Sequence, residues 1–187
     1  MGRLDMEPTL RRRKRRDAGF TLIDILFVVG LIGVLASIAI PGMMKARGAA
    51  QAASALGTLR LVNSAELSFA ITCGLGFYSP DLPTLGLPPP GATDAFLADE
   101  MTGGATFMRS GYTFGLGGTP HVGAPASCNG LGPGQAAPGY AATADPIDST
   151  DTRFFGTNSD GVIWRHTTTL TLTMPEIGPP PAGSPIQ

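Results

Sequence analysis

The chain has few of the side chains that catalyse reactions or bind metals. His121 and His166 are its only histidines, and neither stands at a recognisable catalytic or zinc-binding spacing from cysteine, serine or carboxylate residues. A glycine-rich phosphate-binding motif is also missing. We therefore expect no catalytic residues, no cofactor and no metal ligands, and the sequence favours a protein that is not an enzyme.

Positive charge is scarce beyond the first nineteen residues. Residues 1–19 carry seven Lys/Arg and three Asp/Glu, whereas residues 20–187 carry six and eleven. The acidic remainder lacks the basic surface that nucleic-acid binding requires, so nucleic acid is not an expected partner. Glycine and proline are abundant, at 26 and 17 of 187 residues, which predicts a folded part with many loops.

One long apolar segment stands near the start of the chain. Between Phe20 and Ile40 there are twenty-one residues with a single charge, Asp24. A helix of that length rises about 1.5 Å per residue and spans roughly 30 Å, the hydrocarbon thickness of a bilayer. The basic run at 11–16 holds the N-terminus in the cytoplasm by the positive-inside rule. The segment predicts a single membrane pass, with the chain after Pro41 outside.

Three kinds of export signal compete for this region. A secretory signal has an apolar core of about 7 to 15 residues followed by a small-residue cleavage site. The run SIA at 37–39 could serve as that site, but the core is too long and Pro41 crowds the cut. A twin-arginine signal would use Arg15 and Arg16, and the residues that follow fit it poorly. The third kind is cleaved before the apolar segment.

The junction of Gly19 and Phe20 carries the most specific motif in the chain. A basic leader precedes it, and the dipeptide Thr-Leu and then Asp24, at the fifth position, follow. This pattern resembles the class III signal peptide and N-terminal methylation motif of the type IV pilin and pseudopilin family. Pro41 stands where that family has a helix-disturbing proline. The resemblance implies that prepilin peptidase removes residues 1–19 and that Phe20 becomes a methylated N-terminus.

Asp24 needs a physical reason, because a charge at the centre of a bilayer costs about 2.5 to 3.5 kcal/mol on insertion scales. Cleavage would give Phe20 a charged amino group four residues away on the same helical face. In an apolar core the two opposite charges together cost less than either alone. The resemblance implies pairing with the N-terminus of a neighbouring subunit, although the family nearly always has glutamate at this position. The alternative is an isolated acid tolerated near the positive end of a helix.

Helix-forming residues continue beyond Pro41 to residue 72. Apolar side chains recur there at steps of three and four residues, which predicts one stripe that packs beneath a sheet. They are Ala52, Leu56, Leu59, Leu67 and Ala70. Since Pro41 lacks the amide that would bond to the carbonyl of Ser37, we expect a bend or a loosened turn at 37–42.

The second half of the chain predicts an antiparallel sheet of about four strands. We expect a loop from 74 to 92, a short helix at 93–101 capped by Thr93 or Asp94, and an Asp-Gly hairpin. The predicted strands are 110–116, 139–144, 152–156 and 161–165, with 167–174 as a candidate edge strand. The fold class is therefore α+β, a long N-terminal helix packed on a small sheet, in an order similar to type IV pilin heads.

These elements divide the chain into four parts. A cleaved leader occupies 1–19, and a long helix follows at 20–72, with the membrane and assembly segment at 20–40. The globular head extends over 73–174, and 175–187 is expected to be a disordered tail.

Cys73 and Cys128 are the only cysteines, and both follow the apolar segment. If that segment delivers them to an oxidising compartment, a disulfide between them is the simplest expectation. The alternative is two unpaired, buried thiols.

Four acids cluster late in the chain, near Asn158. They are Asp145, Asp148, Asp151 and Asp160. Major pseudopilins of type II secretion systems hold calcium in a C-terminal loop, but the spacing here is not that of an EF-hand. We favour turn-forming acids and leave calcium open.

The resemblance implies a structural subunit of a type IV pilus filament. Its implied partners are copies of itself and other pilins, prepilin peptidase, the inner-membrane assembly machinery and, before assembly, the membrane. It would lie in the inner membrane as a single-pass protein and afterwards in a surface filament or a periplasmic pseudopilus. The alternatives are a pseudopilin of a type II secretion system and a membrane-anchored extracytoplasmic binding module. Only the pilin class, which includes pseudopilins, would have a mature protein that begins at Phe20.

Overall fold

The computed structural model describes residues 20–186 and has the expected α+β fold, a long N-terminal helix with an antiparallel sheet. The leader, including Gly19, lies outside the described residues. The chain divides into two compact units, one ending at Met44 and one beginning at Lys45. The helices are α1 (Leu22–Thr72), α2 (Leu82–Leu85) and α3 (Asp99–Thr102). The strands are β1 (Thr106–Arg109), β2 (Tyr112–Gly117), β3 (Ala141–Pro146), β4 (Phe154–Asn158), β5 (Ile163–His166) and β6 (Ser184–Ile186).

Helix α1 is continuous for 51 residues, with Pro41 inside it. Of the bend or loosened turn predicted at 37–42, the loosened turn is wrong because these residues are helical, and the bend stays a prediction. Proline removes one backbone hydrogen bond, but its fixed φ is close to the helical value. The bonds on either side of Pro41 are thus sufficient to carry the helix through.

The C-terminal part of α1 buries one face against the sheet. Its centre is formed by Ala55, Leu59, Val62, Glu66 and Phe69, which recur at steps of three and four residues. The predicted stripe is right at Ala52, Leu59 and Ala70, and Leu56 is half-buried. It is wrong at Leu67, which is 54% exposed. The apolar periodicity passed over Glu66, whose ionisable side chain occupies the buried position next to Leu67.

The six strands form one antiparallel sheet in the order β1 to β6, each pairing with the next along the chain. On the face toward α1, Phe107 stands opposite Phe114, Phe114 opposite Ala144, and Ala144 opposite Phe155. The rings of Phe107 and Phe114 stack with centroids 4.9 Å apart. Such cross-strand pairs stabilise a sheet, and the small alanine between two phenylalanines leaves space for the helix to approach.

The predicted strands are confirmed with shifted ends, but the strand count was too low. Strand β1 precedes the first predicted strand, and its four residues contribute only Phe107 to the core. Ser110 and Gly111, with φ of 50° and 81°, form the two-residue loop between β1 and β2. Two positive φ values are typical of a type I′ hairpin turn, so the Ser-Gly pair was the signal missed. The predicted Asp-Gly hairpin is present between β4 and β5, with Gly161 at a φ of 75°.

The helix predicted at 93–101 is wrong in extent. Helix α3 begins only at Asp99, and its N-cap, Ala98, makes no side-chain cap. Conversely, the predicted loop contains the single turn α2, where the Asp81 carboxylate accepts a hydrogen bond from the Thr84 amide. This side-chain cap stabilises the start of α2.

The candidate edge strand at 167–174 is also wrong. Leu170 and Met174 are buried there by packing on Gly156 of β4, where an added Cβ would lie 3.0 Å from the Met174 sulfur. The amide of Met174 donates to the carbonyl of Leu170, so the segment turns instead of extending. Its alternating threonines lie on an irregular loop.

The predicted disorder of 175–187 is contradicted for the residues described. Strand β6 pairs with β5, with Ser184 opposite Arg165 and Ile186 opposite Ile163. Before it, the buried Asn158 side chain donates hydrogen bonds to the carbonyls of Pro175 and Gly178. Composition alone predicted disorder, whereas these backbone partners hold the proline-rich segment in place.

A disulfide joins Cys73, just after α1, to Cys128 in the loop between β2 and β3, as predicted. The amide of Cys128 also donates to the carbonyl of Cys73. The bond therefore fixes the end of the helix to the longest connection between strands.

Removing this bond by Cys128→Ser should destabilise the head. In the chain-entropy model a bond that closes a loop of 55 residues contributes about 4 kcal/mol. We expect the free energy of unfolding, measured by urea denaturation of the full chain in detergent, to fall by about that amount. The double serine variant should lose no more than the single one. Wild-type thiols that are alkylated without reduction would contradict the account.

Candidate functional site

The first unit presents an apolar surface without a protein partner in the structure. Helix α1 is long and apolar enough near its start to cross a membrane, and no residue of that apolar window is buried. Phe20, which precedes the helix, is 79% exposed, and Pro41 within the helix is also exposed. A continuous apolar surface of this size is stable in lipid or against other protein, not in water.

The start of α1 is closed by a reciprocal cap between Thr21 and Asp24. The Thr21 hydroxyl donates to Asp24 Oδ2 at 2.6 Å, and the Thr21 amide donates to the same oxygen at 3.1 Å. In return the Asp24 amide approaches the Thr21 hydroxyl oxygen at 3.3 Å. This is a capping box in which aspartate takes the place of the usual glutamate or glutamine.

The cap gives Asp24 a role within its own chain that the sequence analysis missed. The available signal was a threonine three residues before the acid. Both bonds end on Oδ2, and no other described residue donates to Oδ1. Oδ1 is therefore available for the predicted pairing with a neighbour's N-terminus, and that pairing stays a prediction.

The acids of the 145–160 region take separate local bonds. Asp148 accepts from the amide and hydroxyl of Thr150, and these bonds lower the pKa of Asp148. Asp151 forms a bidentate ion pair with Arg153, whose hydrogen bonds lower the pKa of Asp151.

The other two acids of this region also accept local hydrogen bonds, although Asp145 Oδ1 is buried without a partner among the described residues. Asp145 accepts from the hydroxyls of Thr169 and Thr171, and Asp160 accepts from the amide of Gly178. Among residues 20–186, no three His, Cys, Asp or Glu side chains are grouped so that they could hold a metal ion. Asp148 and Asp160 stand in bends or turns between strands, whereas Asp145 lies within β3 opposite Thr113, so the interpretation as turn formers does not fit Asp145.

The two histidines also make local contacts. His121 stacks on Phe77 with ring centroids 6.1 Å apart and accepts from the amide of Gly123. His166 accepts from the amide of Thr168 through Nδ1. Neither contact brings together a nucleophile and a base.

A groove of about 400 Å³ lies between α1 and the β4–β5 turn. Asn63 ties these elements together, because its amide donates to the Thr157 hydroxyl and accepts from the Tyr140 hydroxyl. The side-chain amide of Asn63 therefore joins the helix to the sheet.

An exposed apolar helix joined in one chain to an α+β head defines a layout like that of type IV pilins. The chain is 41% identical over 54 residues to the type IV major pilin protein PilA of Myxococcus xanthus. That match covers 29% of this chain and 24% of the relative, so the chain spans about a quarter of the relative's length. No family model matches, and no solved structure gives a significant match. The resemblance to the pilin family is confirmed on this relative and on the long apolar helix.

Thr21→Val should weaken the cap, because it removes the hydroxyl that bonds to Asp24. Losing an N-cap costs about 1 kcal/mol, or roughly fivefold faster amide exchange in the first turn of α1. Hydrogen exchange of the full chain in detergent micelles measures this. Thr21→Ser retains the hydroxyl and should exchange like the wild type. Equal exchange in the valine and serine variants would show that the hydroxyl contributes nothing.

Proposed function

We propose that this protein is a structural subunit of a type IV pilus filament, assembled through its apolar N-terminal helix. The observation that carries the proposal is the uncovered apolar surface of residues 20–40, which contains one carboxylate. The pilin relative supports it and favours a structural, non-enzymatic role. A helix of this kind can anchor the subunit in a membrane before assembly and pack against other copies after assembly.

Processing at the Gly19–Phe20 junction prepares the subunit for assembly. Prepilin peptidase cuts there on the cytoplasmic side, and the mature chain stays in the inner membrane until the assembly machinery extracts it. The new amino group on Phe20 and the carboxylate of Asp24 are then the only charges at this end of an apolar bundle. Each is too costly to bury alone, so pairing between neighbouring subunits sets their register.

The cap of Thr21 supports this role for Asp24. Because Oδ2 is held by the subunit's own threonine, the carboxylate is fixed in orientation before assembly. Oδ1 is then the oxygen that accepts a hydrogen bond from the ammonium group of a neighbour. Aspartate, one methylene shorter than the family's usual glutamate, can serve both partners at once.

The mature protein should begin at Phe20. Mass spectrometry of protein purified from membranes should show the loss of residues 1–19 and one added methyl group. A binding module anchored by an uncleaved helix would retain residues 1–19. An N-terminus at Ile40 or Pro41 would contradict the proposal, because the apolar helix would then be discarded.

Three substitutions of Asp24 separate its charge from its cap. Asp24→Ala removes both, Asp24→Asn removes the charge but keeps an oxygen that can accept from Thr21, and Asp24→Glu keeps the charge. We expect the alanine and asparagine variants to be cleaved normally but to remain in the membrane, because an ammonium group would enter the bundle unpaired. The glutamate variant should assemble.

The measurement is the ratio of subunit in sheared surface filaments to subunit in membranes. Normal assembly of the alanine variant would show that the carboxylate is merely tolerated. Assembly of the asparagine variant alone would assign Asp24 to the cap and not to a partner's N-terminus.

A further inference from the structure

Glu66 is an ionisable side chain placed in the middle of an apolar core. It lies on the buried face of α1, one turn after Val62 and three residues before Phe69, and its exposed fraction is 0%. Glutamate is almost never fully buried without a charged partner. Its presence there therefore calls for a specific arrangement around it.

The carboxyl group has one hydrogen-bond donor. Glu66 Oε2 accepts from the backbone amide of Ser79 at 2.9 Å, and Oε1 is buried without a partner among residues 20–186. A buried carboxylate anion needs several donors or a cation to replace its lost hydration. One amide does not meet that need, whereas a neutral carboxylic acid requires much less.

The titratable groups around Glu66 do not supply a counter-charge. Asp81 follows Ser79 in the adjoining segment and adds negative charge. The phenol of Tyr140 also interacts with Glu66, and its ring packs edge to face on Tyr78. The Tyr140 hydroxyl already donates to Asn63. Within the described chain, no cation is among the groups that act on Glu66. Every charged neighbour thus favours the neutral acid.

The bond to Ser79 begins a chain of contacts that continues into α2. The buried Ser79 hydroxyl donates to the carbonyl of Asp81, and the Asp81 carboxylate caps α2 at Thr84. Leu82 and Leu85 then enter the core. Segment 79–85 is therefore fastened to α1 at one polar point, the Glu66 carboxyl.

We propose that Glu66 is a neutral carboxylic acid in the folded head, and that its ionisation releases segment 79–85 from α1. The anion can regain hydration most directly by displacing this segment, because its amide is the group in contact with the carboxyl. The disulfide at Cys73 keeps the preceding end of the chain attached. The head thereby contains a local opening that becomes easier as the pH rises.

Burial raises the pKa of Glu66 to about 8 from an ordinary value of 4.5; the bond from Ser79 opposes this shift, and the charge of Asp81 adds to it. When segment 79–85 is open, the pKa of the Glu66 carboxyl returns to its ordinary value. Between these values the closed state holds one more proton than the open state. The equilibrium constant that favours the closed state over the open state is largest below about pH 4.5. It falls tenfold per pH unit until about pH 8.

Hydrogen exchange of the full-length chain in detergent micelles tests this directly. Protection of the amides in 79–85, corrected for intrinsic exchange, should fall about tenfold per pH unit from pH 5.5 and level off near pH 8. Glu66→Gln keeps an oxygen for the Ser79 amide but cannot ionise, so its protection should be independent of pH. Glu100→Gln, an equivalent change at an exposed acid, should retain the wild-type slope.

A slope that persists in Glu66→Gln, or flat protection in the wild type, would overturn the proposal. If the glutamine variant fails to fold, the wild type alone decides through the ¹³C shift of the Glu66 carboxyl carbon. Titration of that carbon near pH 8 supports the proposal. Titration near pH 4.5 contradicts it, because the carboxyl would then be ionised in the folded head.

Discussion

Helix α1 is one continuous helix whose two parts need different surroundings, and the rest of the structure depends on this constraint. Around Leu59 and Phe69 it supplies the apolar face that the sheet covers. Before Met44 its apolar side chains have no covering partner in the structure. The sheet alone accounts for the first part, and only lipid or other protein chains account for the second. The proposed filament is the assembly that gives both parts a partner.

Three polar side chains on this helix have a defined structural task. Asp24 closes the first turn with Thr21 and, in the proposal, pairs with a neighbour. Asn63 joins α1 to strand β4, to the β4–β5 turn and to Tyr140 through three hydrogen bonds. Glu66 fastens segment 79–85 from inside the core. Because apolar packing is not directional, these bonds determine where the helix begins and which segments attach to it.

Features with strong local signals could be predicted from the sequence. The length and composition of 20–72 predicted α1, the Asp-Gly pair predicted a hairpin, and the count of two cysteines predicted the disulfide. The errors occurred where tertiary contacts overrule composition. Gly156 creates a place for Leu170 and Met174, and β6 forms because β5 offers an unpaired edge. Glu66 was missed because an apolar-periodicity argument assigns a carboxylate to the surface. In the candidate site, Asp24 was identified but its threonine partner was not.

Electron cryomicroscopy of filaments sheared from cells that make this protein would test the central claim most directly. The account predicts a core of packed helices from residues 20–40, with the amino group of Phe20 within hydrogen-bond distance of Asp24 of a neighbouring subunit. It also predicts that Thr21 contacts the other oxygen of that carboxylate within its own chain. Filaments that lack this protein, or a core in which Asp24 faces water, would contradict the account.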